Sequence, residues 1–399
     1  IKIGGEVLDS CRRTFNPWLA GPQSPVNPRP PAFRAAVALT VMVIALGLVG
    51  LVAGVSAAPP GEAWAKLGLH GLHLALGLGA FLAAFVIPPH RLRVLVPGLL
   101  VLVFGILVLM LTSSSFGRAS HSAERWIQLG SLSLQPSAFL QFLWPVVLAS
   151  WAAKDPLRLV QPRELIRMLA VFSVLLLPVV LQPDTGTLLI LLFVSAVTLF
   201  FAGAPVRYLR ILVLGAVVLC GVLFFAFPHV QARMGEFLAG TGFQVGRAVE
   251  AFQMGGIGGM GPGQGLMKHG WVPEGDTDLI FALIGEEWGL FGCLGVWTLF
   301  VSFTVFGVMA SRRADTRYGA ILMAAATVTI ALQAAYNMAM VTGAVPIKGL
   351  PLPFVSRGGS SMIALAALLG AAVRASLVPR RSRVPVSDLI PWTESSVMG

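Results

Sequence analysis

Long apolar runs alternate with short polar breaks along nearly the whole of this 399-residue chain. About 20 helical residues at 1.5 Å each cross a hydrocarbon core. Ten runs meet that length: about 34–56, 68–87, 94–112, 137–153, 165–182, 186–203, 208–227, 279–309, 319–342 and 359–378. They predict an all-α, polytopic membrane protein of about ten transmembrane helices. Pro178 interrupts the run at 165–182, and Gln182-Pro183-Asp184 closes it. The run at 279–309 is longer than a bilayer needs and must tilt or project beyond it. The longest polar break, 228–278, separates helices 7 and 8 and is rich in glycine from Gly255 to Gly265.

Charge orients these spans. The net charge is +11, yet 20 of the 28 Lys and Arg residues fall on one side when the loops alternate from a cytoplasmic N-terminus. They lie in the N-terminal segment, at Arg91 and Arg93, from Lys154 to Arg167, at Arg207 and Arg210, from Arg312 to Arg317 and from Arg374 to Arg383. This positive-inside pattern predicts that both termini are cytoplasmic. The basic excess then reports topology, not nucleic-acid binding. Residues 1–33 read as a cytoplasmic tail without a cleavable signal pattern, 34–378 as the ten-helix domain and 379–399 as a second cytoplasmic tail. Cys11, Cys220 and Cys293 are too scattered for a disulfide framework or a zinc site.

Under that topology three broken segments face outward: 113–136, the extracytoplasmic loop 228–278, and 343–358. Together they would close over one cavity. Pro273-Glu274-Gly275-Asp276-Thr277-Asp278 places three carboxylates at the mouth of an apolar helix. Asp276 or Thr277 suits N-capping, because a side-chain oxygen there accepts a free backbone N–H. Asp278 is the last charge before the apolar run and is the candidate general base. Glu286 and Glu287 lie about 12–14 Å deeper by helical rise. They read as a structural pair bound to Gln333 or Asn337, since ionisable groups at depth are costly. Asp184 suits capping of the next helix and borders the same cavity. The glycine run lacks the spacing of a phosphate loop or a dinucleotide fingerprint, but its backbone N–H groups would suit a nearby phosphate. Arg125, Arg247, Lys268, Lys348 and Arg357 are outside-facing cations suited to a pyrophosphate. His70 and His73 share a helix face without an evident third metal ligand, and no serine-hydrolase elbow is present. No inverted repeat of the transporter kind stands out.

Taken together, these strings resemble the SEDS family (shape, elongation, division and sporulation), whose members include FtsW, RodA and SpoVE. The matching residues are Arg125-Trp126-Ile127 with Leu129-Gly130, then Gln135-Pro136-Ser137, then Gln182-Pro183-Asp184 with Gly186-Thr187. Gln244, the glycine run, Pro273-Glu274 and Thr277-Asp278-Leu279-Ile280-Phe281-Ala282 follow, with Gly285-Glu286-Glu287, Gly289, Asn337, Gly343 and Pro346. Leu352-Pro353-Phe354, Ser356 and Gly358-Gly359-Ser360-Ser361 complete the ordered set and lean toward the FtsW or SpoVE branch.

The resemblance implies a peptidoglycan glycosyltransferase of the bacterial cytoplasmic membrane that polymerises lipid II on its outer face, beside a class B penicillin-binding protein as transpeptidase. It implies that Asp278 is the catalytic base, that undecaprenyl pyrophosphate leaves, and that a divalent cation (Mg or Mn) helps neutralise it; no metal ligands are assigned. Arg125, Gln135, Ser137, Asp184, Gln244, Lys268, Glu274, Lys348, Ser356, Arg357 and Ser360 are the expected substrate-binding positions. The chain departs from the family in three places. Ala138 and Gln141 stand where a Glu and a basic residue are usual, Asp276 replaces a His, and Arg357 replaces an aromatic. Losing both members of an ion pair is far milder than losing one, so the scaffold tolerates the first change. Two rival functions remain: a lipid II flippase, whose polar path Glu286 and Glu287 would line, and a non-catalytic scaffold for the penicillin-binding protein, which the missing pair favours.

Overall fold

The computed structural model describes residues 30–379 except 57, 59, 60, 62, 113–117, 121, 122, 130, 131, 183, 267–274 and 276. The tails expected before and after these bounds lie outside the described residues, although the first helix begins at Pro30. Each apolar run forms a helix, because a backbone in hydrocarbon must satisfy its own N–H and C=O groups. The first seven long helices are α1 (Pro30–Ser56), α2 (Ala63–Val86), α3 (Pro89–Thr112), α4 (Leu140–Lys154), α5 (Pro162–Leu181), α6 (Thr185–Ala202) and α7 (Val206–Ala226). Two shorter helices, α8 (Pro228–Ala239) and α9 (Phe243–Gly255), occupy the long polar break. The last three are α10 (Ile280–Arg313), α11 (Arg317–Val341) and α12 (Gly359–Leu377). Ten of the described helices, all but α8 and α9, are long and apolar enough to cross a membrane, α4 when counted with the 3-10 turn Pro136–Phe139 that leads into it. Helix α5 continues through Pro178, and Gln182 Nε2 ties its end to the Leu107 carbonyl on α3 at 3.1 Å.

Helices α4, α6, α11 and α12 form the buried centre, whereas α2, α3 and α7 turn most of their side chains outward. The exposed faces of α3 and α7 carry Val94, Val101, Leu102, Leu214, Val217 and Phe225, a surface suited to lipid and not to water. Among the central helices little hydrophobic driving force exists within a bilayer, so close backbone approach and hydrogen bonds do the holding. Helix α12 packs most extensively on α2. A Cβ at Gly370 of α12 would collide with the Phe81 carbonyl oxygen of α2, so only glycine permits this spacing. Trp144 of α4 donates to Ser195 Oγ of α6 at 2.8 Å and stacks on Phe172 of α5 with ring centroids 4.5 Å apart.

Two features were not expected. A three-stranded antiparallel sheet, β1 (Arg118–Ser120), β2 (Ala123–Leu129) and β3 (Leu132–Leu134), occupies the break before α4, with Ile127 opposite Leu134. The second concerns the over-long tenth helix, which breaks where tilt or projection was expected. Gly289 has φ 64° and ψ −159°, a conformation essentially restricted to glycine. It divides α10 into a short buried piece before it, at the end of the bundle that carries the candidate site, and a long piece after it.

At one end of the bundle lie the starts of α3, α7 and α11 and the ends of α4, α10 and α12, carrying Arg91, Arg93, Lys154, Arg207, Arg312, Arg313, Arg317 and Arg374. There the Arg93 guanidinium sits 3.7 Å over the Tyr318 ring, and Arg317 donates to the Ala202 carbonyl at 2.9 Å. The sheet, α8, α9 and the candidate site occupy the opposite end.

Candidate functional site

Three polar side chains at helical spacing organise the site from α11. Gln333, Tyr336 and Asn337 stand at i, i+3 and i+4 and so share one face. Asn337 Nδ2 donates to two carbonyls, that of Asp278 at 2.8 Å and that of Leu350 at 2.7 Å. Gln333 Nε2 donates to the Pro351 carbonyl at 2.8 Å and to Ser361 Oγ at 3.1 Å. Tyr336 OH donates to the Pro346 carbonyl at 3.0 Å. These bonds pin the loop between α11 and α12 and join it to the start of α10. Gln333 and Asn337 were expected to hold Glu286 and Glu287. They hold loop carbonyls instead, because irregular backbone buried in a membrane protein must find partners somewhere.

The half-buried Asp278 lies against this loop: a Cβ at Gly349 would stand 3.2 Å from its Oδ2. The next residue back, Lys348, is buried and donates through Nζ to the Thr185 hydroxyl at the first turn of α6. Beyond it the loop turns sharply. Val355 and Ser356 N–H both reach the Leu352 carbonyl, at 3.2 and 2.9 Å, and Ser356 Oγ accepts the Leu352 N–H at 2.7 Å. Phe354 holds φ 63°, unusual for a non-glycine residue, with its ring buried. The N-cap position of α10, expected at Asp276 or Thr277, falls on Leu279, whose own side chain makes no capping bond. Asp276 lies outside the described residues.

Asp184 makes a second cluster. It caps α6 through Oδ1, which accepts the Thr187 N–H at 3.3 Å, while Oδ2 accepts from Gln135 Nε2 at 2.9 Å and from Ser137 Oγ at 2.6 Å. Gln135 also donates its backbone N–H to Ser360 Oγ at 2.8 Å. The end of the sheet, α6 and α12 are thereby tied together, and Thr185 joins this cluster to Lys348. Ala138 and Gln141 are buried in the same wall, and Gln141 Oε1 has no hydrogen-bond partner among the described residues.

The glycine run departs from expectation. Its backbone N–H groups are used within the protein: Met260 and Gly261 donate to the carbonyls of Glu286 and Glu287 at 2.9 and 3.0 Å. Leu266 N–H reaches Glu286 Oε1 at 2.6 Å, and Gly263 N–H reaches Ser56 Oγ at 2.6 Å. A phosphate is therefore not needed to satisfy them. The Ser56 hydroxyl in turn donates to Glu287 Oε2.

The structure thus brings Asp278, Lys348, Asp184, Gln135, Ser137, Ser356 and Ser360 to one end of α6, α11 and α12. Arg357 lies on a shallow cleft beside them, lined also by Lys66, His70, Gly50, Gly54, Ile280 and Val355. Gln244 stands apart, half-buried in the first turn of α9. Arg247 is engaged on its own helix by Glu250 at 2.7 Å and by the Phe243 ring at 5.2 Å. Arg125 is in β2, but its side chain, like Lys268 and Glu274, lies outside the described residues. Sequence reasoning passed over Ser56, Lys66 and Thr185, which look like ordinary helix-end residues. Their only signal is position: each sits within a few residues of an outward-facing break.

No group of three or more His, Cys, Asp or Glu able to hold a metal exists among the described residues. Asp184, the carboxylate nearest to a ligand role besides Asp278, is already occupied by three donors. The described side chains do not fit a protein-built cation site.

The family model for FtsW, RodA and SpoVE, described as "Cell cycle protein", matches residues 34–380. A probable peptidoglycan glycosyltransferase FtsW of Caulobacter vibrioides is 34% identical over 67% of this chain and 69% of its own length. Its counterpart in Tolumonas auensis is 31% identical over 85% of this chain and 91% of its own. Among solved structures, a peptidoglycan synthase complex that coordinates polymerization and crosslinking contains a chain similar at TM-score 0.69 and 25% identity, covering 85% of this chain and 96% of that one. The crystal structure of the rod shape determining protein RodA from Thermus thermophilus is similar at TM-score 0.59 and 26% identity, covering 85% and 95%.

Proposed function

Since this chain belongs to the FtsW, RodA and SpoVE family, we propose that it is a peptidoglycan glycosyltransferase that polymerises lipid II at the outer face of the bacterial cytoplasmic membrane. The observation that carries this reading is the setting of Asp278. Its carboxylate rests on Gly349, its carbonyl is fixed by Asn337, and Lys348 precedes Gly349 in the chain. A base must be held within reach of the proton it removes before its pKa matters.

In the proposed step, Asp278 accepts the proton of the acceptor sugar hydroxyl as that oxygen bonds to the donor's anomeric carbon. The bond from that carbon to the pyrophosphate oxygen breaks, and the electron pair leaves with undecaprenyl pyrophosphate. Lys348 and Arg357 are the cations we assign to the negative charge that develops there, since fixed charge in a water-poor site stabilises it without reorganisation. Gln135, Ser137, Asp184, Ser356 and Ser360 support the wall by the hydrogen bonds described above. A divalent cation (Mg or Mn), where one takes part, would arrive with the substrate and help neutralise the leaving pyrophosphate; loss of polymer on adding a chelator checks this.

The similarity to the chain of a synthase complex supports a class B penicillin-binding protein as partner. The deciding experiment uses the protein copurified with that partner, labelled lipid II and a blocked transpeptidase. Glycan strands should form, and should vanish in Asp278→Ala while the complex still assembles. Polymer that persists in Asp278→Ala removes this carboxylate from the mechanism. An assembled complex that never polymerises favours the scaffold reading, to which buried Ala138 and Gln141 point, whereas lipid II crossing vesicles without polymer favours a flippase.

A further inference from the structure

Two buried carboxylates, Glu286 and Glu287, take no part in the proposed proton transfer. They sit on the outer piece of α10, which spans only the residues from Ile280 up to the break at Gly289. A helix that short does not hold its position unaided. Its anchors lie on other elements. Glu286 Oε1 accepts the Leu266 N–H at 2.6 Å, and the Ser56 hydroxyl of α1 bridges Gly263 N–H and Glu287 Oε2. The carbonyls of Glu286 and Glu287, freed by the break, accept Met260 and Gly261 N–H. The run lies directly on these carboxylates, since a Cβ at Gly265 would stand 2.8 Å from Glu286 Oε2 and 3.0 Å from Glu287 Oε1.

The outer end of α1, the glycine run and the outer piece of α10 therefore form one clamped unit. Asp278 stands two residues before Ile280, where the helical piece held by this unit begins. We propose that Glu286, Glu287 and Ser56 are positioning residues for the reaction: the clamp sets where the Asp278 carboxylate stands relative to the loop between α11 and α12. The inference rests on the glycosyltransferase reading. It assigns the two glutamates a role in rate without contact with substrate.

The test uses the full chain with its penicillin-binding partner and compares Ser56→Ala, Glu286→Ala, Glu286→Gln and Glu287→Ala. Lipid II polymerisation kinetics are measured together with backbone hydrogen exchange. The alanine variants should lose about 10- to 100-fold in kcat, the scale of a roughly 1 Å misplacement, with KM for lipid II unchanged. Exchange should rise over residues 256–266 and stay the same in α12. Glu286→Gln should recover most of the rate, because an amide oxygen still accepts the Leu266 N–H. Faster exchange with unchanged kcat would overturn the proposal, as would a rise in KM alone or a Gln variant no better than Ala. If a Glu→Ala variant fails to fold, Ser56→Ala and Glu286→Gln carry the test. An inactive wild type would sink the glycosyltransferase reading itself; an active wild type with unaffected variants would sink only the positioning role.

Discussion

Asp184 and Asp278 are both acidic residues beside helix starts, yet their surroundings assign them different work. Asp184 has its two oxygens filled by three donors from the chain itself, whereas Asp278 is fixed through its backbone and presents a half-buried carboxylate to the loop. Replacing Asp184 with Ala strands the buried hydroxyl of Ser137 and the Gln135 amide. Leaving buried donors unsatisfied costs about 1–3 kcal/mol. Thermal unfolding in detergent should therefore show a lower Tm for Asp184→Ala, and an Asp184→Asn variant, which keeps an acceptor, should fall between it and the wild type. By contrast, Asp278→Ala should leave Tm nearly unchanged and remove the polymer. Equal loss of stability in the two alanine variants would contradict this division of labour.

At the scale of an element, the decisive feature is the interruption of α10. A continuous 34-residue helix would be about 51 Å long, well beyond a hydrocarbon core of about 30 Å. The break at Gly289 lets the outer piece fold into the protein and frees two carbonyls to receive the glycine run. Alanine at 289 is strained in that conformation, at a cost on the order of 1–3 kcal/mol, and its Cβ would also collide with the backbone of Gly259. Gly289→Ala should thus lower Tm and raise hydrogen exchange in 256–266. An unaltered exchange pattern there would show that the run holds without the break. Helix existence was readable because ten apolar runs leave the backbone no alternative in lipid. The break was not, since a glycine in a helix is common and only its φ distinguishes this one. The small sheet was also missed: its strands are short, and Arg125 to Leu129 read as a motif before they read as a strand.

For the whole molecule, most of the described basic residues gather at one end of the bundle and the candidate site lies at the other, a separation that a positive-inside orientation requires. Labelling with a membrane-impermeant thiol reagent checks the orientation, using a background in which Cys11, Cys220 and Cys293 are replaced. A Cys at Leu238, exposed on α8, should react in intact cells, and one at Asp315, between α10 and α11, only after lysis. The reverse result would place Asp278 in the cytoplasm and end the case for lipid II polymerisation on the outer face.

Apolar run length by itself determined the number of spans, the all-helical class and the order of the loops, because hydrogen-bond satisfaction in hydrocarbon leaves a chain few choices. Ordered motifs pointed to Asp278, Asp184 and the serines, and the charge pattern to Lys348, as parts of one site. Only the tertiary structure decided what each touches. Glu286 and Glu287 took the glycine run and Ser56 as partners, and Gln333 and Asn337 took loop carbonyls, since hydrogen bonds between residues 13 to 231 positions apart depend on how helices pack and not on spacing along the chain. The same packing turned a run of glycines that looked suited to phosphate into a clamp on two buried carboxylates.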